Sequence, residues 1–233
     1  MCDPSTGKHG RQRDSSEPLQ QVTHFEGTTL KNLIMLLVFF LFTSCSPGLA
    51  QEAIHLFNGK DLTGWTGADY EVKDGVLICK GKILRTEKQF SNYVLELDFL
   101  LPPRGNNGLG IHYPGEGRPS GVAMELQILD DSHPKYENLK DSQYHGSLYK
   151  LQAAKRGSLK PVGQWNHQKV TIAGPRVLVE LNGNVILKAN LDELAAKHPK
   201  HKGVKRRSGY ICFCGHGAPV QFKNITLLEL PHP

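Results

Sequence analysis

The chain of 233 residues is long enough for one domain, or one and a half at ~150 residues each. Hydrophobic residues at 39% and charged residues at 21% exclude a disordered tail, and 24 Gly with 14 Pro point to many turns rather than a collagen-like repeat. A net charge of +6 is too mild to argue for nucleic acid as a partner.

The first 50 residues balance four basic side chains (Lys8, Arg11, Arg13, Lys31) against four acidic ones (Asp3, Asp14, Glu17, Glu26). An apolar run over residues 33–42 follows Lys31. It is too short to span a bilayer core of ~30 Å but suits the apolar segment of a signal peptide. Gly48 and Ala50 place small residues at −3 and −1, so cleavage is expected before Gln51. The stretch from Leu41 to Cys45 offers a rival, a loose lipoprotein box with a lipid anchor on Cys45. The expectation is a signal segment over 1–50, removed on export, and a single domain over 51–233 with no transmembrane span. Its location would be the periplasm or outside the cell. Past residue 50 the cysteines are Cys79, Cys212 and Cys214, an odd number that argues for buried free thiols.

The rest of the chain alternates strands and turns. Residues 76–78 and 93–101 come first, the latter with Tyr93, Leu95, Leu97, Phe99 and Leu101 on one face and Glu96 and Asp98 on the other. Residues 122–129, 170–172, 177–181, 185–187, 209–214 and 220–230 add further strands. Asn182-Gly183 between two apolar runs predicts a tight hairpin, because a type I′ turn needs positive φ at both central residues. Only residues 191–197 read as helix. Many short antiparallel strands with almost no helix predict an all-β sandwich or jelly roll.

Chemistry enters at Glu125-Leu126-Gln127-Ile128-Leu129-Asp130. Alternation turns Leu126 and Ile128 to the core and Glu125 and Gln127 to the opposite face, either solvent surface or the floor of a groove. The spacing echoes the Glu-x-Asp-x-x-Glu strand of jelly-roll β-glucanases, but Gln127 stands where the middle carboxylate belongs.

Seven blocks in order resemble one bacterial family. They are Leu56-Phe57-Asn58-Gly59-Lys60-Asp61-Leu62-Thr63-Gly64-Trp65, Asp74-Gly75-Val76-Leu77, Asn106 to Ile111, Glu125 to Asp130, Gly146-Ser147-Leu148-Tyr149, Gly163-Gln164-Trp165-Asn166 with Leu181-Asn182-Gly183, and His216 to Ile225. Over roughly residues 54–230 the chain resembles the 3-keto-disaccharide hydrolases, or 3-keto-glucoside lyase/hydratases, once grouped as domain of unknown function 1080. The resemblance implies a concanavalin A-like β-sandwich and a carbohydrate substrate. It departs at His112, where many members carry Arg.

The implied chemistry begins with a glycoside oxidised at C3, whose ketone acidifies the proton on C2. A base removes that proton, the C1–oxygen bond breaks by elimination, and water is taken up, for net hydrolysis. Such a site needs one base, one acid, and donors or a cation for the enolate. Glu125 is the expected base, with His145 or His216 as acid or ligand. His145 could instead only cap a loop before Gly146, and His216 only hold a turn. Asn107, His112, Gln127, Asp130 and Tyr149 are the expected substrate contacts. His112, Glu125, His145 and His216 could together hold one divalent metal; no other cofactor is evident. The run from Lys197 to Arg207 reads as a solvated basic loop, since no aromatic residues interleave. An enzyme acting on 3-keto-glycosides is the first expectation, and a non-catalytic, lectin-like sugar-binding sandwich is the alternative.

Overall fold

Period-two alternation of apolar residues forces the chain into strands whose apolar faces must be covered. The computed structural model describes residues 52–231. The expected signal segment, the cleavage site before Gln51 and Cys45 lie outside the described residues. In chain order the strands are β1 (Ile54–His55), β2 (Trp65–Gly67), β3 (Glu71–Lys73), β4 (Val76–Cys79), β5 (Lys82–Thr86) and β6 (Tyr93–Leu100). There follow β7 (Asn106–Tyr113), β8 (Met124–Leu129), β9 (Trp165–Ala173), β10 (Arg176–Leu181), β11 (Asn184–Asn190), β12 (Tyr210–Gly215) and β13 (Val220–Glu229). Two short helices, α1 (Pro119–Val122) and α2 (Leu191–Lys197), interrupt them. No helix among the described residues is long and apolar enough to cross a membrane.

These strands form two antiparallel sheets packed as a β-sandwich. The larger runs β11-β10-β9-β6-β13-β4-β3, with β1 also on β13, and the smaller runs β2-β5-β12-β7-β8. The expected alternation on β6 holds: Tyr93, Leu95, Leu97 and Phe99 are fully buried while Glu96 and Asp98 face outward. Phe213 of β12 stacks on Phe222 of β13 with ring centroids 4.1 Å apart, and Trp65 stacks on Phe213 at 5.5 Å. Each such ring removes enough apolar surface from water to contribute about 1.5–3 kcal/mol. Asn182 and Gly183 adopt φ of 50° and 81°, the left-handed pair that the hairpin between β10 and β11 requires. The helix expected at 191–197 forms, capped where the Asn190 side chain accepts from the backbone N–H of Asp192. The three cysteines among the described residues, Cys79, Cys212 and Cys214, are buried free thiols, as expected.

One expected strand is shorter than its apolar pattern. Residues 119–122 turn into α1, because Pro119 sits at its first position and the Ala123 N–H closes the turn onto the Pro119 carbonyl. Strand β8 therefore starts at Met124 and lies at the end of its sheet. Its open edge is not left bare. Residues 146–149 run beside it: the Gln127 carbonyl accepts from Gly146 N–H, the Gln127 N–H donates to the Ser147 carbonyl, and Tyr149 N–H donates to the Glu125 carbonyl at 2.8 Å.

Asn107 ties the two sheets together. Its Oδ1 accepts from the backbone N–H groups of Gly108 (2.8 Å) and Cys214 (3.2 Å), and its Nδ2 donates to the Cys79 sulfur on β4. The side chain is fully buried. Asn107→Ala strands the Cys214 and Gly108 N–H groups away from water, a loss of about 2–3 kcal/mol. Thermal unfolding should therefore shift down by roughly 4–12 °C. A shift of less than a degree would contradict this tie.

Candidate active site

The outer face of the smaller sheet supplies the floor of the site. On β8, Glu125 pairs with Gly110 of β7, and Gln127 pairs with Gly108. A Cβ built on Gly108 would lie 2.3 Å from Glu125 Oε1 and 2.6 Å from its Cγ, so the Glu125 side chain occupies the space that a residue larger than glycine would fill. On the same floor a Cβ on Gly110 would lie 2.4 Å from the Cys212 sulfur. Glycine is required at both places by packing.

Around that floor stands a cavity of about 210 Å³. Strands β7 and β8 contribute Asn106, Glu125 and Gln127; the α1 turn contributes Arg118 and Ser120; the covering segment contributes Tyr149; and the loop after β12 contributes His216. The Gln127 amide donates to Asn106 Oδ1 at 3.0 Å, and Tyr149 Oη accepts from Gln143 Nε2 at 3.1 Å. Because that oxygen already accepts, the Tyr149 O–H remains free to donate. Glu125 is only 6% exposed. Burial pushes its carboxyl from the ordinary 4.5 up to about 7, and the nearby Arg118 guanidinium opposes part of that rise. His216 rims the cavity, and burial, followed by the Arg118 charge, holds its imidazole below the ordinary range. Asn106 and His216 also line an adjoining hollow of about 350 Å³.

The fold thus brings together Glu125, Gln127, Tyr149 and His216 of the residues expected from sequence. The other four lie elsewhere. Asn107 points into the core, as described above, and has no reach to the cavity. His145 is enclosed, its ring packed at 5.1 Å from that of Phe99 and its Nδ1 accepting from the Leu129 N–H. Burial drives its imidazole down to about 3, so at neutral pH it is uncharged and lacks the second ring proton of an imidazolium acid. His112 occupies a bulge in β7 with φ of 54°, which swings its ring inward between the carbonyls of Ser91 and Arg206. Asp130 lies past the end of β8, where its carboxylate accepts from the N–H groups of Arg104 and Ser132 and fixes the loop. The expected metal set of His112, Glu125, His145 and His216 does not converge. Among the described residues no group of three or more His, Cys, Asp or Glu side chains is placed to hold a metal.

Three lining residues were missed from sequence. Asn106 was open to the same alternation that orients Glu125, since it shares a face with Gly108 and Gly110. Arg118 and Ser120 had only the Gly-Arg-Pro turn signal ahead of them, which says nothing about where the turn folds.

Comparison with known proteins places this geometry. The model of the 3-keto-alpha-glucoside-1,2-lyase-like domain matches residues 52–228. A 3-keto-disaccharide hydrolase of Bacteroides thetaiotaomicron is 26% identical over a match that covers 79% of this chain and 80% of that protein. A crystal structure from Parabacteroides distasonis, named as a candidate glycosyl hydrolase, superposes with a TM-score of 0.71 at 27% identity, covering 78% of this chain and 95% of that one. A Bacillus subtilis protein of galectin-like fold shares the sandwich alone, with a TM-score of 0.55 at 12% identity over 78% of this chain and 96% of that one. With the domain matched across nearly all the described residues, on a sandwich whose outer face holds the Glu125 cavity, the chain belongs to the 3-keto-alpha-glucoside-1,2-lyase-like family.

Proposed function

We propose that this protein cleaves glycosides oxidised at C3 of the sugar, with Glu125 as the base that takes the C2 proton. The ketone acidifies that proton, and its removal gives an enolate. Collapse of the enolate expels the C1 oxygen and leaves a 2-hydroxyglucal with a conjugated ketone. Water adding at C1 and a proton returning to C2 complete a net hydrolysis. The reading rests on one observation: a single carboxyl, buried and held near neutrality, faces a cavity otherwise lined by hydrogen-bond donors and a cation.

An ordinary glycosidase needs two carboxyl groups across the scissile bond. Glu125 is the one carboxyl lining this cavity, among the described residues. Proton abstraction beside a ketone needs only one, and a base works best when its pKa lies near the working pH. The Gln127 amide, the Tyr149 hydroxyl and the Arg118 guanidinium are the donors available to the enolate oxygen. His216 stands where the cavity meets the adjoining hollow, the place where a glycosidic oxygen would cross, and its ring N–H would donate to the leaving oxygen. A lectin-like site has no use for a carboxyl destabilised in this way, so the enzyme reading is preferred. The signal segment expected from sequence would place the reaction in the periplasm or outside the cell.

Glu125→Gln keeps size and shape but removes the base, so turnover of a 3-keto-disaccharide should fall ~10²-fold or more. Retention of more than about a tenth of the wild-type rate would overturn the assignment. In the wild type, kcat/KM should climb with pH and level off above about 7, as Glu125 ionises. Stability should move the opposite way. The folded-state pKa of Glu125 lies above its ordinary 4.5, so its contribution is fully present below pH 4.5 and is lost as pH rises through about 7. That loss amounts to about 3 kcal/mol. Glu125→Gln should therefore melt close to wild type at pH 5 and about 5 °C or more above it at pH 8. Gly108→Ala should displace the Glu125 carboxyl and cut turnover by at least ~10-fold, since misplacing a reacting group by about 1 Å is enough to do so. Wild-type turnover in that variant would show that the glycine floor does not set the position of the base.

A further inference from the structure

Beside the Glu125 cavity, the 350 Å³ hollow has a wall of different chemistry. The two spaces share Asn106 and His216, so a substrate whose oxidised ring sits over Glu125 would send its leaving group past His216 into this second space. Two cations line it, Arg104 and Lys135, along with the ring of Tyr136 and the turn Gly217-Ala218-Pro219, and no acidic residue does. Both cations are exposed at the surface, and neither enters an ion pair among the described residues. The loops that carry them are held in place. The Arg104 N–H donates to the Asp130 carboxylate at 2.9 Å, Tyr136 Oη donates to the Arg104 carbonyl at 3.2 Å, and the Lys135 N–H donates to His133 Nδ1 at 3.1 Å. Lys135 Nζ lies 5.3 Å from the centre of the Tyr136 ring.

We propose that this hollow is the leaving-group subsite, and that Arg104 and Lys135 select glycosides whose leaving group carries a carboxylate or another anion. The proposal rests on the reading of Glu125 as the reacting base only for the orientation of the substrate. Two cations that enter no ion pair among the described residues, lining a hollow with no acidic residue in its wall, attract an anion at the mouth of the site, and the flat guanidinium of Arg104 suits a carboxylate through two parallel hydrogen bonds. The Tyr136 ring beside them offers an apolar edge to a ring in the leaving group. Asp130, expected from sequence as a substrate contact, thereby acquires an indirect role, since it positions the backbone of the residue that makes the contact.

The test uses two ligands of one shape, 4-carboxyphenyl and 4-carbamoylphenyl α-glucoside, which differ in charge and not in size. Calorimetric titration of the wild-type protein at low salt should show the carboxylate binding about five-fold or more tighter than the amide, the scale of one or two partly exposed charge pairs. The preference should shrink in 0.5 M salt and fall to about parity in Arg104→Gln/Lys135→Gln, a variant whose melting temperature should match wild type. Equal affinity in the wild type, no binding of either glucoside, or a preference that survives the double substitution would overturn the proposal. A preference lost only in Arg118→Gln would also overturn it, by placing the anion in the inner cavity. Neither glucoside has a C3 ketone, so the titration reads the hollow independently of chemistry. Failure of the proposed reaction would show separately, as absence of turnover of 3-keto-disaccharides.

Discussion

The site depends on one steric constraint: the Glu125 side chain lies across a position on β7 where no Cβ can stand. With Gly108 beneath it, the carboxyl can be drawn down onto the sheet and covered. Tyr149 reaches the cavity because residues 146–149 pair with the free edge of β8, and the same pairing closes that edge against association with another chain. Burial follows from this arrangement, and burial is what moves the carboxyl toward neutrality. The instability this introduces is offset by the core between the sheets, where Trp65, Phe213 and Phe222 form a continuous stack. Asn107 closes the chain of dependence from below, linking β4 of one sheet to β7 and β12 of the other.

This arrangement differs from that of an ordinary glycosidase in a way that chemistry explains. Direct displacement at C1 has to stabilise an oxocarbenium-like centre, and it uses a pair of carboxyl groups to do so. Elimination next to a ketone moves the difficulty to a carbon acid, for which one well-tuned base and a polar clamp on the enolate suffice. Under the proposed reaction, the outer face of the sandwich would provide both, with Glu125 as the base and Gln127, Tyr149 and Arg118 as the donors. The hollow beside the Glu125 cavity is lined by loops after β6, β8 and β12, elements whose composition can vary without disturbing the strand that carries Glu125.

Much of the fold was legible in the sequence because it follows from period-two patterning and turn chemistry. The β6 alternation, the Asn182-Gly183 hairpin and the helix at 191–197 needed only local information. Glu125 and Gln127 were placed on the correct face by the same rule. Asn107, expected as a substrate contact, lies in the core instead, as the same rule applied to β7 implies: it sets Asn107 with Leu109 and Ile111 and Asn106 with the glycines. His112 escapes the rule because a bulge breaks the register at that point. His145 and Asp130 lie in loops past the end of β8, where side-chain direction is decided by tertiary contacts that no local pattern encodes. Arg118 belongs to the site only because α1 folds beside β8, which again is a matter of topology.

The most direct test of the central claim follows the hydrogen on C2. A 3-keto-disaccharide cleaved by the wild-type protein in deuterium oxide should release 3-keto-glucose bearing deuterium at C2, while unreacted substrate, incubated without protein, keeps its hydrogen. The exposed His216 lines the Glu125 cavity, so under the proposed mechanism a proton taken up by the carboxyl would exchange with solvent before it returns to carbon. Deuterium at C2, read by proton NMR, is the result the account predicts. Cleavage with the C2 hydrogen fully retained would contradict it, since the C1–oxygen bond would then break without any loss of the C2 proton to solvent.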